Sequence, residues 1–68
     1  MTLKDAQQKI RHIEDTAKIL HDDEAASSLE RKLYIEALES CMMGTIDIPT
    51  LKEILNRTQV IQFRRWGP

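Results

Sequence analysis

The first 43 residues contain neither glycine nor proline, which occur only at Gly44, Pro49, Gly67 and Pro68. Those are the residues that most readily reverse or interrupt a chain. The glycine-free and proline-free stretch is rich in Ala, Leu, Glu, Lys and Gln, all favourable in helices. An all-α fold follows. With 68 residues there is room for one domain, residues 1–68. A domain of this size buries only about 60% of the surface its unfolded chain exposes. Disulfides within the chain cannot reinforce it, because Cys41 is the only cysteine. Self-association and regular helix packing are the remaining routes.

Apolar residues fall at Leu3, Ala6, Ile10, Ile13, Ala17 and Leu20. Steps of three and four make one helical seam, and predict helix 1 over about 3–20. Thr2 can cap it, with Asp5 three residues on closing a capping box. Arg11 and Asp15 have the spacing of an i,i+4 ion pair. "HDDEAASS" then breaks the seam. His21 would sit at the dipole end that favours a cation. Asp22 or Asp23 would cap helix 2, with Glu24 in its first turn. The short connection implies an antiparallel helical hairpin.

Helix 2 is expected over about 23–43. It carries Ala26, Leu29, Leu33, Tyr34, Leu38, Ala37, Cys41 and Met42 on an arc close to half its circumference, with Ile35 beyond that arc. Ser28, Lys32, Glu36 and Glu39 form its wet strip. So wide an arc exceeds what one neighbouring helix covers. Gly44 should end the helix in the left-handed conformation. In "TIDIPT", Ile48 precedes proline and is steered out of the helical region. Thr50 with Glu53 forms one capping box, and Asp47 is the competing cap. Helix 3 then spans about 49–57, with Leu51, Ile54 and Leu55 inward. From 58 to 68 an extended aromatic tail is expected, with Ile61 and Phe63 on one side and Val60, Arg64 and Trp66 on the other.

Charge narrows the function. The net charge of −1 argues against a general polyanion binder. Residues 1–24 hold four Lys/Arg against six Asp/Glu, and 25–48 hold two against four. Residues 49–68 hold four against one. The acidic body and basic end suit an interaction tail or a complementary assembly. No cysteine-histidine spacing of a zinc site is present, and acids at a helix N-terminus act as caps, so no metal or cofactor is expected. Cys41 lies on an apolar arc, and no phosphate loop, nucleophile elbow or carboxylate pair accompanies it. The chain is read as a non-enzyme. No apolar run reaches the roughly 20 residues that span a bilayer. "MTLKDAQQK" lacks a signal core, and the lone thiol suits a reducing compartment. A cytoplasmic protein without membrane contact is the expectation.

Phe63, Arg64, Arg65 and Trp66 admit three roles: a clasp over the hairpin, an interface, or a hook that grips phosphates while stacking bases. Clasp and interface together fit a self-associating fold best. Tyr34, Leu38, Met42, Phe63, Arg64, Arg65 and Trp66 are therefore the candidate partner-binding or oligomer residues. Two hairpins would form a homodimeric four-helix bundle.

The Ala-rich helix "LERKLYIEALESCMMG" after its acidic loop, and the closing "IQFRRW", resemble short helical proteins of phage and prophage-type genomes. Those share an E-x-x-L-Y core helix, a glycine break, a short helix and an aromatic-Arg-Trp ending. The likeness spans about residues 8–66 and carries over no functional residue. It implies a small accessory protein that binds and modulates a host protein. Proteins of that kind and size that sequester nucleotide signals supply another alternative, beside a nucleic-acid-binding module built on the basic tail.

Overall fold

Thr2 starts the fold as the sequence requires. Its hydroxyl accepts from the Asp5 N–H at 3.2 Å, and the Asp5 carboxylate accepts from the Thr2 N–H at 3.3 Å. This reciprocal box satisfies two donors that a helix start leaves unpaired. The structure is a computed structural model describing residues 1–64. It is all-helical: α1 is Leu3–Lys18, α2 is Asp23–Met42 and α3 is Ile48–Gln59. Among the described residues there is no strand.

α1 stops two residues short of the expected end. His21 takes a left-handed φ of 53°, a conformation a non-glycine residue adopts uncommonly and histidine more readily than most. The Asp22 N–H then reaches back to the Thr16 carbonyl at 3.1 Å. That reversal turns Ile19 and Leu20 outward, each 69% exposed, so Leu20 leaves the seam. Asp22 caps α2 by accepting from the Ala25 N–H at 3.0 Å. Gly44, at φ 80°, ends α2. The Gly44 N–H bonds the Cys41 carbonyl and the Thr45 N–H bonds the Ser40 carbonyl, the paired bonds of a Schellman ending. A methyl group on Gly44 would meet nothing within 4 Å. Glycine is needed there for its backbone conformation, not for space.

Helix α3 departs from expectation at both ends. Asp47 is its cap, accepting from the Thr50 N–H at 2.9 Å, and Ile48 is the first helical residue. Pro49 lies in the first turn, where a missing N–H removes no helix bond. The expected Thr50–Glu53 box is not the cap, and Glu53 pairs instead with Arg57 at 2.7 Å. The helix continues through Thr58, assigned to the tail from sequence, because its side chain is wholly buried against α2. The chain leaves the helix at Val60, with Ile61 buried and Phe63 half-buried against the core. Val60 and Arg64 are exposed, and Arg65 and Trp66 lie outside the described residues.

The grooves between helices give their directions. Met1 and Asp5 line a groove with Glu39, Ser40 and Met43, while Lys9 and His12 line another with Lys32, Leu33 and Glu36. α1 and α2 are therefore antiparallel. Thr2 and Leu3 neighbour Thr50, and Lys4 through Arg11 neighbour Arg57, so α3 runs parallel to α1. Among the described residues the core holds four alanines, Ala6, Ala17, Ala26 and Ala37, and five larger apolar residues, Ile13, Leu33, Ile46, Ile54 and Ile61. Alanine lets helix backbones approach closely, with the larger side chains filling the space between layers.

Candidate interaction surface

Helix α2 has two seams. The inner one is Ala26, Glu30, Leu33, Ala37 and Ser40, all buried. The outer one is Ser28, Arg31, Ile35, Leu38 and Met42, all exposed. Both advance by steps of three and four residues, so each forms a continuous stripe along the helix. The outer stripe ends in three large apolar residues: Ile35 is 52% exposed, Leu38 50% and Met42 86%. Met43 is exposed beside them in chain order. Arg31 and Lys32 lie one turn before Ile35, and Glu39 one turn after it, all exposed. Glu36 faces the other way, where it pairs with Lys9 of α1.

Tyr34 belongs to the interior more than to this stripe. It is half-buried, with its hydroxyl 2.8 Å from Thr58 Oγ1. Thr58 Oγ1 also lies 2.9 Å from the Leu55 carbonyl and 3.2 Å from the Ile54 carbonyl. Thr58 has one hydroxyl proton to share among these acceptors, and either hydroxyl can be the donor between Thr58 and Tyr34. This bond ties the middle of α2 to the last turn of α3. Phe63 packs partly on the core and Arg64 is exposed. Leu38 and Met42 are thus brought together on one face, and Tyr34 and Phe63 face mainly inward. Arg65 and Trp66 lie outside the described residues. Ile35 is the residue the sequence reading left out of this surface. The regular spacing of Ser28, Arg31, Ile35, Leu38 and Met42 was the signal that could have found it.

Other chemistry has little to build on. Cys41 is half-buried on α2. Among the described residues no three His, Cys, Asp or Glu side chains gather as a metal-ligand set. The acids of "HDDE" include the α2 cap. Among the described residues no helix is long and apolar enough to cross a membrane. Asp5 and Asp47 are two acids whose carboxyls are perturbed. The Thr2 N–H, followed by the Thr2 hydroxyl, holds the Asp5 carboxyl below its ordinary 3.8. Thr50 does the same for Asp47, first through its hydroxyl and then through its N–H. Both shifts belong to helix caps rather than to a reactive cleft.

Two of the clefts along α1 each hold more than one Lys or Arg side chain. One, of about 200 Å³, lies between α1 and α2 over Leu29 and Leu33, with Lys9, His12, Lys32 and Glu36 around it. The other, of about 470 Å³, opens between α1 and α3 and is lined by Lys4, Gln7, Gln8, Arg11 and Arg57. Comparison of the chain with protein-family models, curated proteins and solved structures returns no match.

Proposed function

We propose that this chain is a small non-catalytic binding protein that pairs with a second copy of itself through the outer face of α2. It would act on a host protein as that dimer, in the manner implied by the phage-type layout it resembles. The observation that carries the reading is the outer stripe of Ile35, Leu38 and Met42. Large apolar residues on one helical stripe lose contact with water when a like surface covers them.

The charges around the stripe favour a second copy over an unrelated occupant. Arg31 and Glu39 each lie four residues from Ile35, on opposite sides, and Ser28 and Met42 each lie seven. A two-fold axis beside Ile35 sets Arg31 of one copy opposite Glu39 of the other. Lys32 falls close to the same acid, and Ser28 leaves room for Met42. In a parallel pairing the same charges would meet their own kind. Antiparallel pairing of this sort is isologous and closes at two. Pairing also supplies the cover that a core with four alanines leaves α2 without.

The test is the mass of the purified chain by light scattering across a range of concentrations. The natural sequence should be a dimer and Leu38→Glu a monomer with its helical circular dichroism kept. A natural chain that stays monomeric at high concentration would end the proposal, as would a Leu38→Glu variant of unchanged mass.

A further inference from the structure

The cleft between α1 and α3 is lined by cations and amides. Among the described residues, Lys4, Arg11 and Arg57 bring three cations, Gln7 and Gln8 bring two amides, and no carboxylate lines it. In a chain of net charge −1 this is a local reversal of sign. Lys4, Gln7, Gln8 and Arg11 follow i, i+3, i+4, i+7 spacing, which places them on one stripe of α1. α3 supplies Arg57 from its last turn.

The pairing of these cations is equally informative. Among the described residues the ion pairs are Lys9–Glu36, Lys18–Glu14 and Arg57–Glu53, and neither Lys4 nor Arg11 takes part in one. Asp15 is placed to receive Arg11 by its spacing, and that expected pair is not made. Arg11 lines the cleft instead. Arg57 bonds Glu53 through one terminal nitrogen, and a guanidinium has further N–H donors in the same plane. Lys4 and Arg11 therefore carry charge that no carboxylate pairs among the described residues, and Arg57 adds spare donors beside its bond to Glu53.

We infer that this cleft binds a ligand bearing at least two phosphate groups. Lys4 and Arg11 are seven residues apart on one stripe of α1, about 10 Å along a helix, a spacing that two joined phosphates can span with a cation at each end. Arg and Lys suit phosphate oxygens through charge-assisted hydrogen bonds, and glutamine amides add neutral donors. Among the described residues no aromatic or large apolar side chain lines the cleft, so their recognition rests on the phosphates and leaves a base or sugar ungripped. The same chemistry is offered by a free polyphosphate and by the backbone of a single-stranded nucleic acid.

The experiment titrates the full chain by calorimetry at low salt with two probes, sodium triphosphate and an oligothymidylate. Lys4→Gln with Arg11→Gln is the test variant, and Lys52→Gln, a cation outside the cleft, is the control. All three proteins should give the same helical circular dichroism, since the exchanged residues are exposed. Triphosphate binding that falls at least about tenfold in the double variant and not in the control supports the site and assigns it a free polyphosphate. Binding of the oligonucleotide alone, with that same loss, supports it and assigns a nucleic-acid backbone. The oligonucleotide affinity should then fall with salt at a log–log slope of about −2 for three single-strand contacts. No binding of either probe overturns the proposal. So does binding that the double variant keeps, whether or not Arg64→Gln with Arg65→Gln removes it.

Discussion

Asp5 closes the capping box of α1 by accepting from the Thr2 N–H, Asp47 caps α3 by accepting from the Thr50 N–H, and both do so as anions. Each carboxyl is held below its ordinary 3.8 by the threonine it bonds. A folded value below the unfolded one means the unfolded chain takes up protons first as acid is added. Their contribution is complete above the unfolded value and is lost as pH falls from there through the lowered folded values. Urea unfolding from pH 7 to pH 2 should show stability declining through the acid range below about pH 4. Asp5→Asn with Asp47→Asn should flatten that decline while keeping much of the stability at pH 7, since asparagine at 47 also caps a helix and the amide oxygen at 5 can still accept from the Thr2 N–H. A decline of unchanged steepness in the double variant would remove the two caps as its source. Caps were among the most legible features of the sequence. Thr2 with Asp5, and Asp22 before α2, stand where short-range chemistry puts them. The choice between Asp47 and Thr50 was not legible, because both fit a start beside Pro49 and the backbone of Ile48 decided it. The left-handed His21 was also hidden, since its neighbours allow several turn conformations.

Among the elements, α2 is the one whose two sides differ most from a reading by polarity. Its inner stripe includes Glu30 and Ser40, both buried, and its outer stripe includes Ile35, half exposed. Position on the helix governs burial here, and residue type follows only in part. Ala26, Leu33 and Ala37 were legible as core because type and position agreed. Glu30 was not, because they disagreed. α3 was read two residues short at its C-terminal end for a related reason. Thr58 looks like the start of a tail, and its hydroxyl in fact closes bonds to the Ile54 and Leu55 carbonyls and to Tyr34. Among the described residues no buried side-chain nitrogen or oxygen lacks a partner. Thr58→Val keeps the shape and removes those bonds, so it should cost about 1 kcal/mol. A double-mutant cycle with Tyr34→Phe, followed by urea unfolding, should give a coupling of the same sign, and additive losses would show that the two hydroxyls act independently.

At the scale of the whole molecule, the proposed pairing makes a prediction that no single helix can. Arg31→Glu should weaken the dimer by placing two acids opposite each other, as should Glu39→Arg by placing two bases. The variant carrying both exchanges restores opposite signs across the two-fold axis and should recover the dimer. Light scattering on the four proteins decides it: a double variant no better than either single one would break the antiparallel register. The three-helix architecture was legible from the spacing of apolar residues and the placing of glycine and proline. The Lys4–Arg11 stripe was not singled out, because its partner Arg57 comes from a helix whose direction only the fold defines. One further consequence follows from the alanines at the centre. Ala6, Ala26 and Ala37 are fully buried, so a larger side chain at any of them would have to push whole helices apart. Sequence drift in such a molecule has little freedom inward. Novelty can be written only on the outside, where neighbouring chains and solutes are met, and a new specificity could arise there without disturbing the scaffold beneath.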